Sequence, residues 1–135
     1  KTEFSGERHI LSNTENVTLT FCPLELKFTF DMDDKEKAQA AKIFKGIFDN
    51  AVTTALTEKY DMVVLDEVFE AINAHMLSES EVYEFITNAP SSMEIVMTGH
   101  NPPQKFMDCA DYITEFKKIK HPYDRGITGR IGIEF

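Results

Sequence analysis

The sequence predicts an α/β domain with a mostly parallel, doubly wound sheet and helices on both faces. Two apolar runs carry this prediction, "MVVL" at 62–65 and "EIVMTG" at 94–99. Both lack strict alternation, which is typical of strands buried on both faces. Helical patterns separate them, and strands that alternate with helices form right-handed βαβ units with parallel strands. A length of 135 residues suits one domain over 1–135.

The first segments predict strands by alternation. "VTLTF" at 17–21 alternates apolar and polar residues, as a half-buried strand does. "LELKFTF" at 24–30 does the same and places four apolar residues on one face: Leu24, Leu26, Phe28 and Phe30. On periodicity alone, Phe28 and Phe30 are core-facing strand residues.

A helix is predicted to begin after Asp33 and to run to about Glu58. Asp33 and Glu36 have the spacing of a capping box. Apolar residues then recur every three or four positions, at Ala40, Ile43, Ile47, Ala51 and Ala55.

The second half contains weaker signals. Ser78 and Glu81 form another candidate capping box, opening a helix that ends before Pro90. A short helix is expected after Pro103. The segments 112–116 and 130–135 are predicted to be strands, the last at a sheet edge.

Composition disfavours several function classes. A net charge of −9 and a pI near 4.8 provide no basic field for nucleic acid. No apolar stretch approaches the roughly 20 residues that cross a bilayer. Cys22 and Cys109 belong to no CxxC pair, and no signal peptide is evident, so we expect a reduced, cytoplasmic compartment.

Asp66 and Glu67 follow the apolar run "MVVL" directly. Carboxylates at the carboxyl end of a buried strand can hold Mg²⁺ beside nucleotide phosphates. Alternatively, Asp66 caps the following turn and Glu67 is solvated. Helicases carry a similar string, although the acidic charge argues against one. The usual companion loop, GxxxxGK[ST], does not occur in the 135 residues.

Other candidate chemistry is weaker. The histidines lack the spacing of a metal site, and no arrangement of residues indicates a nucleophile. "HPYDRG" at 121–126 groups several functional side chains but also has the composition of an ordinary turn.

Five segments, in order, resemble the ATP:corrinoid adenosyltransferases: "SGER", "FTF", "DMVVLDE", "TGHNPP" and "ADYITEFKKIKHPYDRGITGRIGIEF". The resemblance implies a P-loop NTPase-like (RecA-like) three-layer sandwich. It also implies that family members begin with a βαβ unit that contains the phosphate loop, and that this chain matches the sequence after that unit. We therefore expect the sequence from Lys1 onward to be a fragment.

The resemblance implies a reaction in which a cob(I) corrinoid attacks the 5′ carbon of ATP and releases tripolyphosphate. It assigns Asp66 and Glu67 to Mg²⁺ (or Mn²⁺) and implies a homodimer and a flavoprotein-type reductant. The alternative is a corrinoid-binding or regulatory module that has lost ATP binding.

The resemblance also assigns substrate contacts. Phe28 and Phe30 match an aromatic pair that covers the lower face of the corrin ring, with Phe30 where the family has Trp. This favours a loop over a strand for 24–30. Thr98, Gly99 and His100 stand where the family usually has Thr-Gly-Arg, and His121, Tyr123 and Asp124 are assigned to substrate binding.

Overall fold

A computed structural model describes residues 6–20, 22 and 31–130. The chain groups into two compact units. Unit one comprises Lys1–Glu25 and Asp111–Phe135, and unit two comprises Leu26–Ala110. The assignment of one domain to 1–135 stays a prediction.

Unit two contains the parallel sheet that the sequence predicts. Strand β1 spans Met62–Leu65 and strand β2 spans Glu94–Met97. They pair in parallel, with Val63 opposite Ile95 and Leu65 opposite Met97. Helices α3 (Val68–Asn73) and α4 (Glu79–Asn88) connect them. The unit is therefore α/β, and both strands lie where the apolar runs place them.

The two faces of the sheet differ in burial. Val63 and Leu65 pack against the main core, together with their β2 partners. On the opposite face, Met62 is 53% exposed and Val64 is 57% exposed. The prediction that these strands are buried on both faces is wrong in this structure. The helices of the unit pack against the face of the sheet that contains Val63. Among the described residues, no helix layer is seen on the face that contains Met62.

Helix α2 (Asp34–Thr57) confirms the strongest local signal. Asp33 Oδ1 accepts from the Glu36 N–H at 2.8 Å, and Glu36 Oε2 accepts from the Asp33 N–H at 2.9 Å. The capping box is thus complete, and replacing such a cap by alanine typically costs about 1 kcal/mol. The helix ends at the Glu58 C-cap, as predicted.

The shorter helices begin and end near the capping and proline residues that predicted them. The Ser78 hydroxyl accepts from the Glu81 N–H at 3.4 Å at the start of α4, which ends before Pro90. Helix α5 (Gln104–Cys109) follows Pro103. Both were predicted, whereas α3 was not, because six residues directly after a strand are too few to display a helical period.

The main core lies between the helices and the Val63 face. Phe106 is 2% exposed. Its ring packs edge-on against Phe69 at 5.4 Å and against Tyr83 at 5.7 Å between centroids. Buried Met32, Ala40 and Met76 form a smaller cluster.

Unit one has little regular structure in its described residues. It contains α1 (Gly6–Leu11) and a 3₁₀ helix, Pro122–Arg125. Residues 17–20 and 112–116 form no strand, so the strand predicted at 112–116 is wrong and the one at 17–21 is wrong over its described part. An alternating pattern shows only that a segment is suited to a strand, and Tyr112 and Phe116 are almost fully exposed.

The predicted segment 24–30 lies outside the described residues, and so does the predicted strand 130–135 apart from Arg130. In the part of the chain that is described, no helix combines the length and apolar character needed to cross a bilayer.

Candidate functional site

The carboxyl ends of β1 and β2 lie side by side and bring three predicted residues together. Asp66 and Glu67 follow β1, and Thr98 follows β2. The Thr98 hydroxyl donates to Asp66 Oδ1 at 2.9 Å and accepts from the Glu67 N–H at 2.8 Å. The Thr98 N–H donates to the Leu65 carbonyl at 3.2 Å. Parallel strands end at one edge of a sheet, which is where ligands bind in open α/β folds.

Glu67 adopts a backbone conformation that side-chain-bearing residues rarely adopt. Its φ of 54° and ψ of 28° are left-handed, and it is the N-cap of α3 without a side-chain cap bond. This conformation costs roughly 1–2 kcal/mol for a residue with a Cβ. The chain therefore turns sharply at Glu67, and its side chain is exposed at the edge of the sheet.

The fit of this edge to Mg²⁺ follows from its donor atoms. Asp66 and Glu67 offer hard carboxylate oxygens and are both exposed. Mg²⁺ bound to a nucleotide commonly takes one or two carboxylates and fills its remaining positions with phosphate oxygens and water. Residues 6–20, 22 and 31–130 hold no group of three His, Cys, Asp or Glu side chains able to bind a metal. Two carboxylates match the number that Mg²⁺ commonly takes from a protein when it also binds phosphate oxygens and water.

His100 is held by two residues of α3 that the sequence did not single out. Its backbone N–H donates to Glu70 Oε1 at 2.9 Å, and its ring Nδ1 lies 2.5 Å from the same oxygen. The Asn73 side-chain amide donates to the His100 carbonyl at 3.0 Å. Glu70 and Asn73 lie three positions apart, on one face of a helix. Because α3 itself was not predicted, this spacing carried no recognisable signal.

Gly99 sits where a side chain would not fit. Its φ is +139°, and a Cβ there would collide with Glu70 Oε2 and lie 2.8 Å from Phe69 Cβ. Glycine is therefore required by both the backbone angle and the close approach of α3.

The remaining predicted residues lie elsewhere in the chain. His121, Tyr123 and Asp124 belong to unit one, where His121 Nδ1 accepts from the Tyr123 N–H at 3.1 Å. Lys118 Nζ donates to Asp124 Oδ1 at 2.8 Å. These contacts are those of a structured turn. The assignment of the three residues to substrate binding stays a prediction. Phe28 and Phe30 lie outside the described residues.

Comparison with known protein families identifies the family of this chain. The family model of the ATP:corrinoid adenosyltransferases BtuR/CobO/CobP matches residues 1–135. The chain belongs to this family. Among named members, it is 29% identical over 132 residues to a corrinoid adenosyltransferase of Sinorhizobium sp, with 97% of this chain and 61% of the relative covered.

Two further relatives agree. A corrinoid adenosyltransferase of Escherichia coli K12 is 27% identical over 131 residues, with 97% of this chain and 64% of the relative covered. The corrinoid adenosyltransferase CobA of Salmonella typhimurium LT2 is 26% identical, with the same coverage of 97% and 64%. The chain therefore spans between 61% and 64% of the length of these relatives.

Proposed function

We propose that the full-length protein transfers the 5′-deoxyadenosyl group of ATP to the Co(I) centre of a corrinoid. In this reaction the electron pair of Co(I) forms a bond to C5′. The C5′–O bond breaks, and tripolyphosphate leaves with the electron pair of that C5′–O bond. A flavoprotein-type reductant supplies the electron that converts Co(II) to Co(I). The match of the adenosyltransferase family along the whole chain supports this proposal.

The two hydrogen bonds of the Thr98 hydroxyl are the main structural observation in support of this function. Thr98 ties the Asp66 carboxylate to the end of β2 at 2.9 Å and leaves Glu67 exposed next to it. We assign both carboxylates to Mg²⁺, which when bound neutralises charge on the triphosphate and favours its departure. Thr98 orients Asp66, as hydrogen-bond partners of metal ligands commonly do.

The corrinoid side of the site is assigned by resemblance. By this resemblance, Phe28 and Phe30 cover the lower face of the corrin ring, so that the lower axial base is kept away from cobalt. His121, Tyr123 and Asp124 contact the substrates. The protein acts as a cytoplasmic homodimer.

The aromatic assignment has its own test. Phe28→Ala and Phe30→Ala should each lower the fraction of four-coordinate Co(II) in the magnetic spectrum of the full-length protein with cob(II)alamin and ATP. If both side chains were core residues instead, each variant would lose roughly 3–5 kcal/mol of stability. An unchanged Co(II) spectrum combined with such a loss would refute the assignment.

The transfer itself is tested with the full-length protein, Mg-ATP and chemically reduced cob(I)alamin. Adenosylcobalamin, followed by its absorbance, and tripolyphosphate should form in equal amounts. Asp66→Asn and Glu67→Gln should lower the rate and raise the Mg²⁺ concentration required. Asp61→Asn is the matched control, because Asp61 is exposed immediately before β1, at the opposite end of the same strand.

The outcomes separate the two candidate functions. Corrinoid binding without formation of either product would reject the transferase and favour a corrinoid-binding or regulatory module. Equal sensitivity of the Asp61→Asn and Glu67→Gln variants to Mg²⁺ would reject the metal assignment.

A further inference from the structure

The Glu70 carboxylate makes an asymmetric set of contacts. Oε1 accepts the His100 backbone N–H at 2.9 Å and lies 2.5 Å from the His100 ring Nδ1. Oε2 is buried and makes no hydrogen bond with any residue that the structure describes. A buried carboxylate oxygen without a partner is costly. This arrangement therefore needs an explanation beyond packing.

The close approach of Gly99 keeps the carboxylate in this orientation. Oε2 fills the space that a Cβ at position 99 would occupy. Asn73 fixes the same loop from the next turn of α3, since its amide donates to the carbonyls of His100 at 3.0 Å and Asn101 at 3.4 Å. Neither the loop nor the carboxylate can shift without breaking several contacts.

Among the described residues, the His100 ring has a hydrogen-bond partner on its Nδ1 edge only. The Nδ1 edge faces Glu70, whereas the side chain as a whole is 91% exposed. Oε1 already accepts the backbone N–H, and a carboxylate oxygen is an acceptor for a ring N–H. Nδ1 is therefore in position to donate to Oε1, which leaves Nε2 for another molecule.

We propose that Glu70 is a positioning residue, which holds His100 with Nδ1 protonated and directs Nε2 toward the nucleotide at the carboxyl end of β2. This inference rests on the proposed function, because it takes ATP as the molecule at that edge. His100 lies two residues after Thr98, whose hydroxyl donates a hydrogen bond to Asp66. His100 is therefore close in sequence to the proposed nucleotide edge. With the proton on Nδ1, Nε2 has a lone pair that can accept a hydrogen bond from a hydroxyl or amino group of the nucleotide.

The tautomer can be measured without any substrate. The full-length protein, labelled with ¹⁵N-histidine, is examined by long-range ¹H–¹⁵N correlation at a pH where the imidazole is neutral. The His100 signals are assigned by their loss in His100→Gln. In the parent protein, His100 should carry its proton on Nδ1. In Glu70→Ala it should return to the tautomer mixture of a free imidazole, and Glu70→Gln should restore the parent pattern because the amide oxygen still accepts.

Asn73→Ala is the matched control, since it loosens the loop without removing the acceptor of Nδ1–H. It should keep the parent tautomer. A neutral His100 protonated on Nε2 in the parent would overturn the proposal. A shift in Asn73→Ala as large as in Glu70→Ala would also overturn it, because loop order rather than the carboxylate would then set the ring.

Kinetics test the direction of Nε2. Glu70→Ala should raise the KM for ATP by roughly five- to tenfold, the effect of one lost hydrogen bond, and leave the KM for the corrinoid unchanged. A shifted tautomer with an unchanged KM for ATP would reject the contact with the nucleotide. If the parent shows the expected tautomer but forms no adenosylcobalamin, the proposed function fails while the positioning of the ring by Glu70 stands.

Discussion

Thr98 donates a hydrogen bond to Asp66 across the ends of two neighbouring parallel strands, with 2.9 Å between the hydroxyl oxygen and Oδ1. The two residues are 32 positions apart in sequence. Their contact joins the two polar segments that follow β1 and β2 into one site, and it defines the orientation of a carboxylate that we assign to Mg²⁺.

We expect Thr98→Val to lower adenosyl transfer by about 10- to 100-fold, the usual effect of removing a partner of a metal ligand. Valine has nearly the same shape but cannot donate to Asp66 or accept from the Glu67 N–H. Thr98→Ser keeps the hydroxyl and should retain most of the activity. Rates measured at limiting Mg²⁺ provide the comparison, and equal rates for the valine and serine variants would contradict the role of the hydroxyl.

Gly99→Ala and Gly46→Ala should change stability in opposite directions. At Gly99 the positive φ and the approach of Glu70 and Phe69 leave no room for a Cβ, so we expect a loss of roughly 1–3 kcal/mol. Gly46 lies within α2, where a Cβ would meet no described atom within 4 Å, so alanine should add roughly 0.5–1 kcal/mol. Urea unfolding of both variants checks the pair, and a neutral Gly99→Ala would mean that the loop relaxes.

Phe106→Ala should destabilise unit two by roughly 3–5 kcal/mol, because it removes a buried ring and leaves a cavity beside Phe69 and Tyr83. Phe116→Ala is the control for loss of a ring at the surface. Phe116 is 93% exposed and should change stability by no more than about 0.5 kcal/mol. Comparable losses in the two variants would show that Phe116 is covered in the full-length protein.

Lys45 makes a pH-dependent contribution to stability. Hydrogen bonds from its ammonium group to Glu81, and then to Asp49, raise the pKa of Lys45 above its ordinary value. Because the pKa is raised in the folded state, charged Lys45 stabilises the fold fully at pH values below the ordinary lysine pKa. This stabilisation is lost as pH rises through the pKa of the folded state. The Tm difference between parent and Lys45→Met should therefore be positive at neutral pH and shrink on the alkaline side.

This difference should be small, because the pairs are half exposed and screened by solvent. High salt should reduce it further at neutral pH. A Tm difference that stays constant from neutral to strongly alkaline pH would indicate that methionine acts through packing and not through the lost charge.

The sequence by itself determined the elements whose signals are local. The Asp33–Glu36 capping box placed the start of α2, because both of its hydrogen bonds join residues three positions apart. Unbroken apolar runs located β1 and β2, and the carboxylates after β1 followed from the same pattern. The family resemblance was likewise carried by short motifs, and the family match confirms it.

Only the tertiary structure decided which residues meet and which surfaces are covered. Glu70 and His100 are 30 positions apart, and no periodicity relates a helix that begins after one strand to a loop that follows the next. The exposure of the Met62 face and the absence of a strand at 112–116 could likewise not be read from local sequence. Burial and strand pairing depend on which other segments of the fold pack nearby. A run of apolar residues shows only that the run is suited to burial.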